Sequence, residues 1–297
     1  YDEVARANDV IKAYGEITAE TSAEIRYKVA QAYAVRAFCY LNIAPYFQFN
    51  YQTSADKPCV PLVTETTTDF TNNPRASVKE IYDQIISDLD FAITNLEGYT
   101  RPDKSKIDRQ VAYGLRARAN LDMGKYAEAA SDAALAAEGY TPASIAEVST
   151  PSFYNIADHN WLWGYDMTMD VAKTFPYATS SSWIRSFSAN SYSAGTQSYF
   201  CINNLLYNKI PDSDVRKGWW VNTDLYSPLL EGLTWGSLKG QQIATEEITD
   251  EKMIFLPYTN VKFGMYTIGG TTNEEDWPFM RVEEMLLIQA EGLIKSG

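Results

Sequence analysis

Histidine is almost missing from this chain, and cysteine is rare. One histidine, His159, and three cysteines, Cys39, Cys59 and Cys201, are present, and no two cysteines form a Cys-x-x-Cys pair. A zinc site needs several such ligands at close spacing, so none is expected, and neither is a disulfide framework or any bound cofactor. A Ser/His/Asp hydrolase would have only His159 to serve as its base. Basic charge is also short. The 25 Lys and Arg against 38 Asp and Glu leave a net charge of −13. A phosphate backbone needs a lysine and arginine footprint, so nucleic acid is excluded as a partner, and so is a basic membrane-surface patch. No apolar run approaches the roughly 18 residues of a membrane-spanning helix, and no signal peptide is visible. The sequence opens at Tyr1 and closes at Gly297 inside helical patterns, and it is expected to be an internal piece of a longer chain.

What is abundant is alanine at helical spacing, together with aromatic residues. Residues 111–138, VAYGLRARANLDMGKYAEAASDAALAAE, read as two antiparallel helices broken at 122–125. Counted from Gly124, Tyr113, Ala117, Tyr126, Ala129 and Ala136 fall at the spacing of a tetratricopeptide-type repeat, in which small residues let two helices touch. Leu121-x-x-Gly124 ends the first helix, because glycine tolerates the left-handed backbone. One such hairpin cannot bury its apolar face alone, so further repeats are expected.

They are present. Residues 2–17 carry a helical stripe of Val4, Ala7, Val10, Ile11, Tyr14 and Ile17. Thr21-x-x-Glu24 reads as a capping box opening a helix that runs to about Ile43. Its end, AVRAFCYLNIA, aligns with GLRARANLDMG, so that Arg36 matches Arg116 and Ala37 matches Ala117. Cys39 lies on this helix and reads as a buried small hydrophobe. Residues 45–74 form a long, proline-rich insertion carrying Tyr46, Phe47, Phe49 and Tyr51, and Ser77-x-x-Glu80 then caps a helix over 78–96. From about 140 to 280 the texture changes to Ser, Thr, Asn, Gly and aromatics. Within it, 160–168 reads as a short strand, 199–209 as a helix and 257–266 as a strand. Residues 281–296 return to helix, with Ala290 and Gly297 at the positions of Ala117 and Gly124.

The order of these segments resembles a known family. It runs from an RA-x-x-Y helix (Arg36 to Tyr40) through VPLV (Val60 to Val63) to PRASVKEIYDQIISDLDFAITNL. The GLRARANLDMGKYAEAA hairpin follows, then IPDSDVRKGWW (Ile210 to Trp220) and DWPFMRVEEMLLIQAEGLIKSG. This is similar to the SusD/RagB family of nutrient-binding outer-membrane lipoproteins. The resemblance covers nearly the whole chain and is weakest between 140 and 200. It implies a mainly α fold, with a tetratricopeptide-like scaffold in 1–140, an irregular aromatic-rich ligand-binding subdomain in 141–280, and the start of a further repeat in 281–297. It also implies lipid anchorage at the outer-membrane cell surface through a segment absent here. It further implies a TonB-dependent outer-membrane transporter as partner, and an oligosaccharide, polysaccharide or peptide as ligand, with no enzymatic activity. Part of the family's ligand site comes from ahead of the first repeat.

A sugar site needs flat apolar faces beside amides, carboxylates or guanidinium groups. Residues 175–199 supply that mixture, and Trp183, Phe187, Tyr192 and Tyr177 are the expected ligand-binding residues, with the alternative that these rings are core. Trp161 and Trp163 are expected in the core. Arg36 and Arg116 are expected in buried ion pairs with carboxylates such as Asp88, Glu284 or Glu291. The aromatics of 46–51 suit a second ligand surface or a transporter contact. Two rival classes stand beside this reading. One is an α/α-type glycoside hydrolase using two carboxylates; the other is a peptide-binding or protein-interaction repeat array. Glu274, Glu275, Asp276, Glu283 and Glu284 are acids of the right type for the hydrolase. Their clustering reads instead as a solvated loop leading into a helix N-terminus, with no acid isolated in an apolar context that would raise its pKa.

Overall fold

The computed structural model describes residues 1–69, 71–168, 170–171, 200–232, 234–235, 238–239, 257–264, 266 and 274–297. The chain divides into two compact units. The first comprises Tyr1–Thr141, Asn160–Trp163 and Met280–Gly297; the second comprises Pro142–His159 and Gly164–Phe279.

The fold is mainly α, with a tetratricopeptide-like helical scaffold. In the first unit, α1 (Asp2–Tyr14), α2 (Ala23–Phe47), α4 (Val78–Asn95), α5 (Arg109–Asp122), α6 (Tyr126–Ala137) and the last helix, α9 (Val282–Ser296), pack in succession, each against the next. The helices over 25–43, 78–96 and 111–138 therefore lie side by side, as the repeat spacing requires. Alanines 30, 34, 37, 92, 117, 129, 133 and 136 are fully buried between them. Gly292 shows how tight the seam between α9 and α6 is: a Cβ there would meet the Tyr126 carbonyl oxygen at 2.5 Å and Ala130 Cβ at 2.9 Å. Gly124 turns the α5–α6 hairpin at φ 75°.

The capping box at Ser77 forms as read: its Oγ accepts from Glu80 N, and the Glu80 carboxylate accepts from Ser77 N at 2.7 Å. The one at Thr21 does not. The helix begins one residue later, so Ser22 is the cap, accepting from Ile25 N, while Thr21 Oγ1 accepts from Thr18 N. The far end of α2 also exceeds its expected limit and continues through Pro45 to Phe47. So near the terminus, the proline removes only the bond to the Leu41 carbonyl. Cys39 is half-buried rather than buried; Cys59 is the buried one.

The insertion after α2 is not structureless. It holds a turn of helix, α3 (Tyr51–Ser54), and strand β1 (Pro58–Pro61), which pairs antiparallel with β2 (Arg75–Ser77). Strand β3 (Trp161–Tyr165) pairs with the last strand, β6 (Trp277–Arg281). Trp161 and Trp163 are buried, as expected.

Charge organises the repeats. Arg36, 1% exposed, is held bidentately by Asp88 at 2.8 and 2.7 Å, with Asn8 and Glu65 on its remaining nitrogen. Burial alone would lower the Arg36 pKa; the Asp88 and Glu65 carboxylates outweigh it and hold it raised. The equivalent Arg116 is gripped bidentately by Asp132 at 2.8 and 2.7 Å and also reaches Asp90. Glu284, one expected partner, takes Arg118 instead. In both repeats an aspartate on the following helix clamps the arginine.

The second unit, among its described residues, is poor in regular structure. Among its described residues are α7 (Ile145–Val148), α8 (Asn204–Tyr207) and the short strands β4 (Thr234–Trp235) and β5 (Leu238–Lys239), which pair with each other. The helix expected over 199–209 shrinks to α8, capped by Asn203. The expected strand over 257–266 is replaced by a turn and isolated bridges from Thr259 to Cys201, Asn260 to Trp220 and Phe263 to Ser152. Residues 258–261 share their backbone hydrogen bonds between 200–202 and 219–221, and each pairing is too short to form a strand.

Candidate functional site

Trp183, Phe187, Tyr192 and Tyr177 lie outside the described residues. Within the second unit, the described residues form a cleft of about 450 Å³ around the IPDSDVRKGWW segment, a volume within the usual range for ligand pockets. Its aromatic lining is Tyr207, Trp220 and Tyr226. Each ring is half-buried, with part of its surface open.

Local chemistry sets this geometry. Asp214 opens a 3-10 turn over Val215–Trp219 by accepting from Arg216 N at 3.0 Å, and its carboxylate also holds the Arg216 guanidinium at 2.6 Å. Lys217 donates to Asp212 at 2.5 Å and sits 5.2 Å from the centre of the Tyr207 ring. Trp219 turns inward, donating Nε1–H to the Val148 carbonyl, with the Lys262 ammonium 4.4 Å from its ring. The chain then extends: Val221 N–H donates to Thr259, and Tyr258 N–H donates to Val221. This sets Trp220 at the cleft. Asn222 Oδ1 accepts from both Asp224 N and Tyr226 N, forming the turn that carries Tyr226. The Asn222 amide nitrogen makes no hydrogen bond among the described residues.

Electrostatics fixes the state of the two acids. The bond from Lys217 lowers the Asp212 pKa, and the bonds from the Arg216 side chain and backbone lower that of Asp214 to about 2. Both are ionised at neutral pH and present acceptors only. A glycosidase needs one carboxylic acid kept protonated to serve the leaving group. Neither Asp212 nor Asp214 meets that need.

Glu275 and Asp276 overturn one expectation. They are not solvated: each is 2% exposed. Asp276 ties the unit's loops together, accepting from Ile156 N, Met167 N and the Tyr266 hydroxyl. Glu275 has a buried oxygen, Oε1, with no hydrogen-bond partner, and burial raises its pKa to about 7. A buried acid with a raised pKa is therefore present after all, with the neighbouring Glu274 and Asp276 charges adding to the effect of burial. Charge-rich sequence concealed it, because loop burial is a tertiary property. It does not line the cleft.

In sequence the IPDSDVRKGWW segment carries the family resemblance and no ligand role. Its close WW pair beside two aspartates and a lysine was the available signal.

The helical scaffold has the fold of solved SusD-like structures. Residues 1–121 match the SusD-like family described as starch-binding and associating with the outer membrane. Solved structures of the same fold include a SusD-like carbohydrate-binding protein from Bacteroides vulgatus ATCC 8482 (24% identity, TM-score 0.69, 98% of this chain and 56% of that one). A SusD superfamily protein from Bacteroides thetaiotaomicron VPI-5482 is similar as well (19%, TM-score 0.72, 99% and 60%). So is a laminarin-binding SusD-like protein (20%, TM-score 0.62, 98% and 64%). Among curated protein sequences nothing matches the chain. The resemblance to the SusD/RagB family is thus borne out, and the chain spans less than two thirds of the length of these three structures.

Proposed function

We propose that this protein captures a glycan at the cell surface and passes it to a TonB-dependent outer-membrane transporter, itself catalysing nothing. The observation that carries this reading is the cleft: three aromatic faces, two carboxylates held ionised, a free carboxamide N–H and an ammonium, within about 450 Å³. Rings take the C–H faces of a sugar, and the fixed polar groups take its hydroxyls. The family description and the laminarin-binding structural relative support the ligand class. Lipid anchorage at the outer membrane belongs to the same proposal; among the described residues no helix is long and apolar enough to cross a membrane. Trp183, Phe187, Tyr192 and Tyr177 remain part of it as a further stacking platform.

The test is calorimetric titration with starch and laminarin oligosaccharides. Micromolar to millimolar dissociation constants, about 4–8 kcal/mol, are expected of an open site. Trp220→Ala should weaken binding about tenfold, since one stacking ring is worth roughly 1–3 kcal/mol. Asp212→Ala changes a side chain that is 95% exposed, so it should weaken binding without moving the thermal midpoint. Unchanged affinity in both variants would remove the cleft from the reading. Release of new reducing ends from a bound glycan would restore the hydrolase.

A further inference from the structure

The helical unit carries a second pocket, of about 300 Å³, where the end of α2 and the loop after it face Tyr82 of α4 and Asp122 at the end of α5. Phe49 stands at it, 81% exposed. Gln48 donates to the Pro58 carbonyl at 3.1 Å and accepts from Phe49 N at 2.9 Å. Arg75 donates to the carbonyls of Phe47 and Pro58, and Asn50 Oδ1 accepts from Thr53 N. Backbone on both sides of Phe49 is therefore held, which keeps the residue at the pocket.

The polar lining complements the ring. Asp122 Oδ2 accepts from the Tyr82 hydroxyl at 2.8 Å, which orients the carboxylate. Asp122 Oδ1 and the Asn50 amide nitrogen make no hydrogen bond among the described residues, leaving one strong acceptor and one donor at the pocket. Tyr51 completes the wall, its ring set edge-on to Tyr82 at 5.2 Å. We propose that this pocket is a second carbohydrate-binding site, which seats a neutral sugar ring against Phe49 and hydrogen-bonds its hydroxyls to Asp122 and Asn50. The pocket lining contains no cation to pair with a uronate or sulfated sugar, which suits a neutral ring. A protein partner would be expected to use the exposed aromatics together, yet Tyr46 and Phe47, 86% and 58% exposed, do not line the pocket.

Two sites on one chain give avidity toward a polymer, which separates this proposal from the cleft experimentally. The chain is run through native gels containing soluble starch, laminarin or galactomannan, beside Phe49→Ala, Phe49→Trp, Asp122→Asn, Trp220→Ala and the Phe49→Ala/Trp220→Ala double variant. On a gel that retards the wild type, Phe49→Ala should lower apparent affinity about tenfold, Asp122→Asn severalfold, and Phe49→Trp not at all. The double variant should migrate as in a plain gel. Should Trp220→Ala not fold, Asp212→Ala replaces it. Unaltered retardation of Phe49→Ala overturns the second site while leaving the cleft standing. Loss through Phe49→Ala with none through Trp220→Ala upholds the second site and removes the cleft. A wild type that no gel retards overturns both.

Discussion

Glu275 should make the protein less stable at neutral pH than in mild acid, and a single isosteric change should remove the effect. The side chain is 2% exposed, and burial raises its pKa from an ordinary 4.5 to about 7. The folded state thus binds this proton more tightly than the unfolded state does. Its contribution is fully present below pH 4.5 and is lost as pH rises through 7. The gap corresponds to about 3 kcal/mol. Glu275→Gln keeps the shape and stays neutral at every pH. Glu275 Oε1 has no hydrogen-bond partner, so the amide forfeits little there. The variant should match the wild type near pH 4.5 and exceed it by up to about 3 kcal/mol at pH 8. That is roughly 5–10 °C in thermal midpoint for a domain of this size. Urea or thermal melts of both proteins between pH 4.5 and 8 read it directly. A variant that is less stable than the wild type at pH 8, or a difference that does not change with pH, would refute the reasoning.

Two further outcomes follow from the packing. Arg36→Met leaves Asp88 buried without its counter-charge and should cost roughly 3–5 kcal/mol, whereas Arg36→Met with Asp88→Leu should recover most of it; urea unfolding of the single and double variants checks both. Gly292→Ala drives a methyl into the Tyr126 carbonyl and should cost about 1–3 kcal/mol in the same assay.

Much of the scaffold was legible because helical information is local. The period of apolar residues placed α4, α5, α6 and α9, Ser77 and Glu80 announced their own capping box, and the place of Gly124 followed from its lack of a side chain. Matching Arg36 to Arg116 was enough to expect buried ion pairs. The errors at helix ends were small ones: a cap shifted from Thr21 to Ser22, and a helix that passes through Pro45 because the last turn tolerates it. Which carboxylate each arginine meets was not local. Asp132 rather than Glu284 holds Arg116 because α6 follows α5 in a tight hairpin, while α9 brings Glu284 to Arg118. The same limit hid Glu275 and Asp276. In sequence they read as solvated charge, and only the surrounding loops, converging from residues 154–167 and 266, put them in the dark. The cleft is likewise a product of tertiary structure: Ser149, Tyr207, Trp220 and Tyr226 have no shared periodicity and meet only because several turns fold onto one another. Local periodicity and capping therefore determined the scaffold helices, to within a residue or a turn at their ends, from sequence alone. Burial of loop charge and the assembly of a binding surface from separate turns depend on contacts between distant residues, and these the tertiary structure decided.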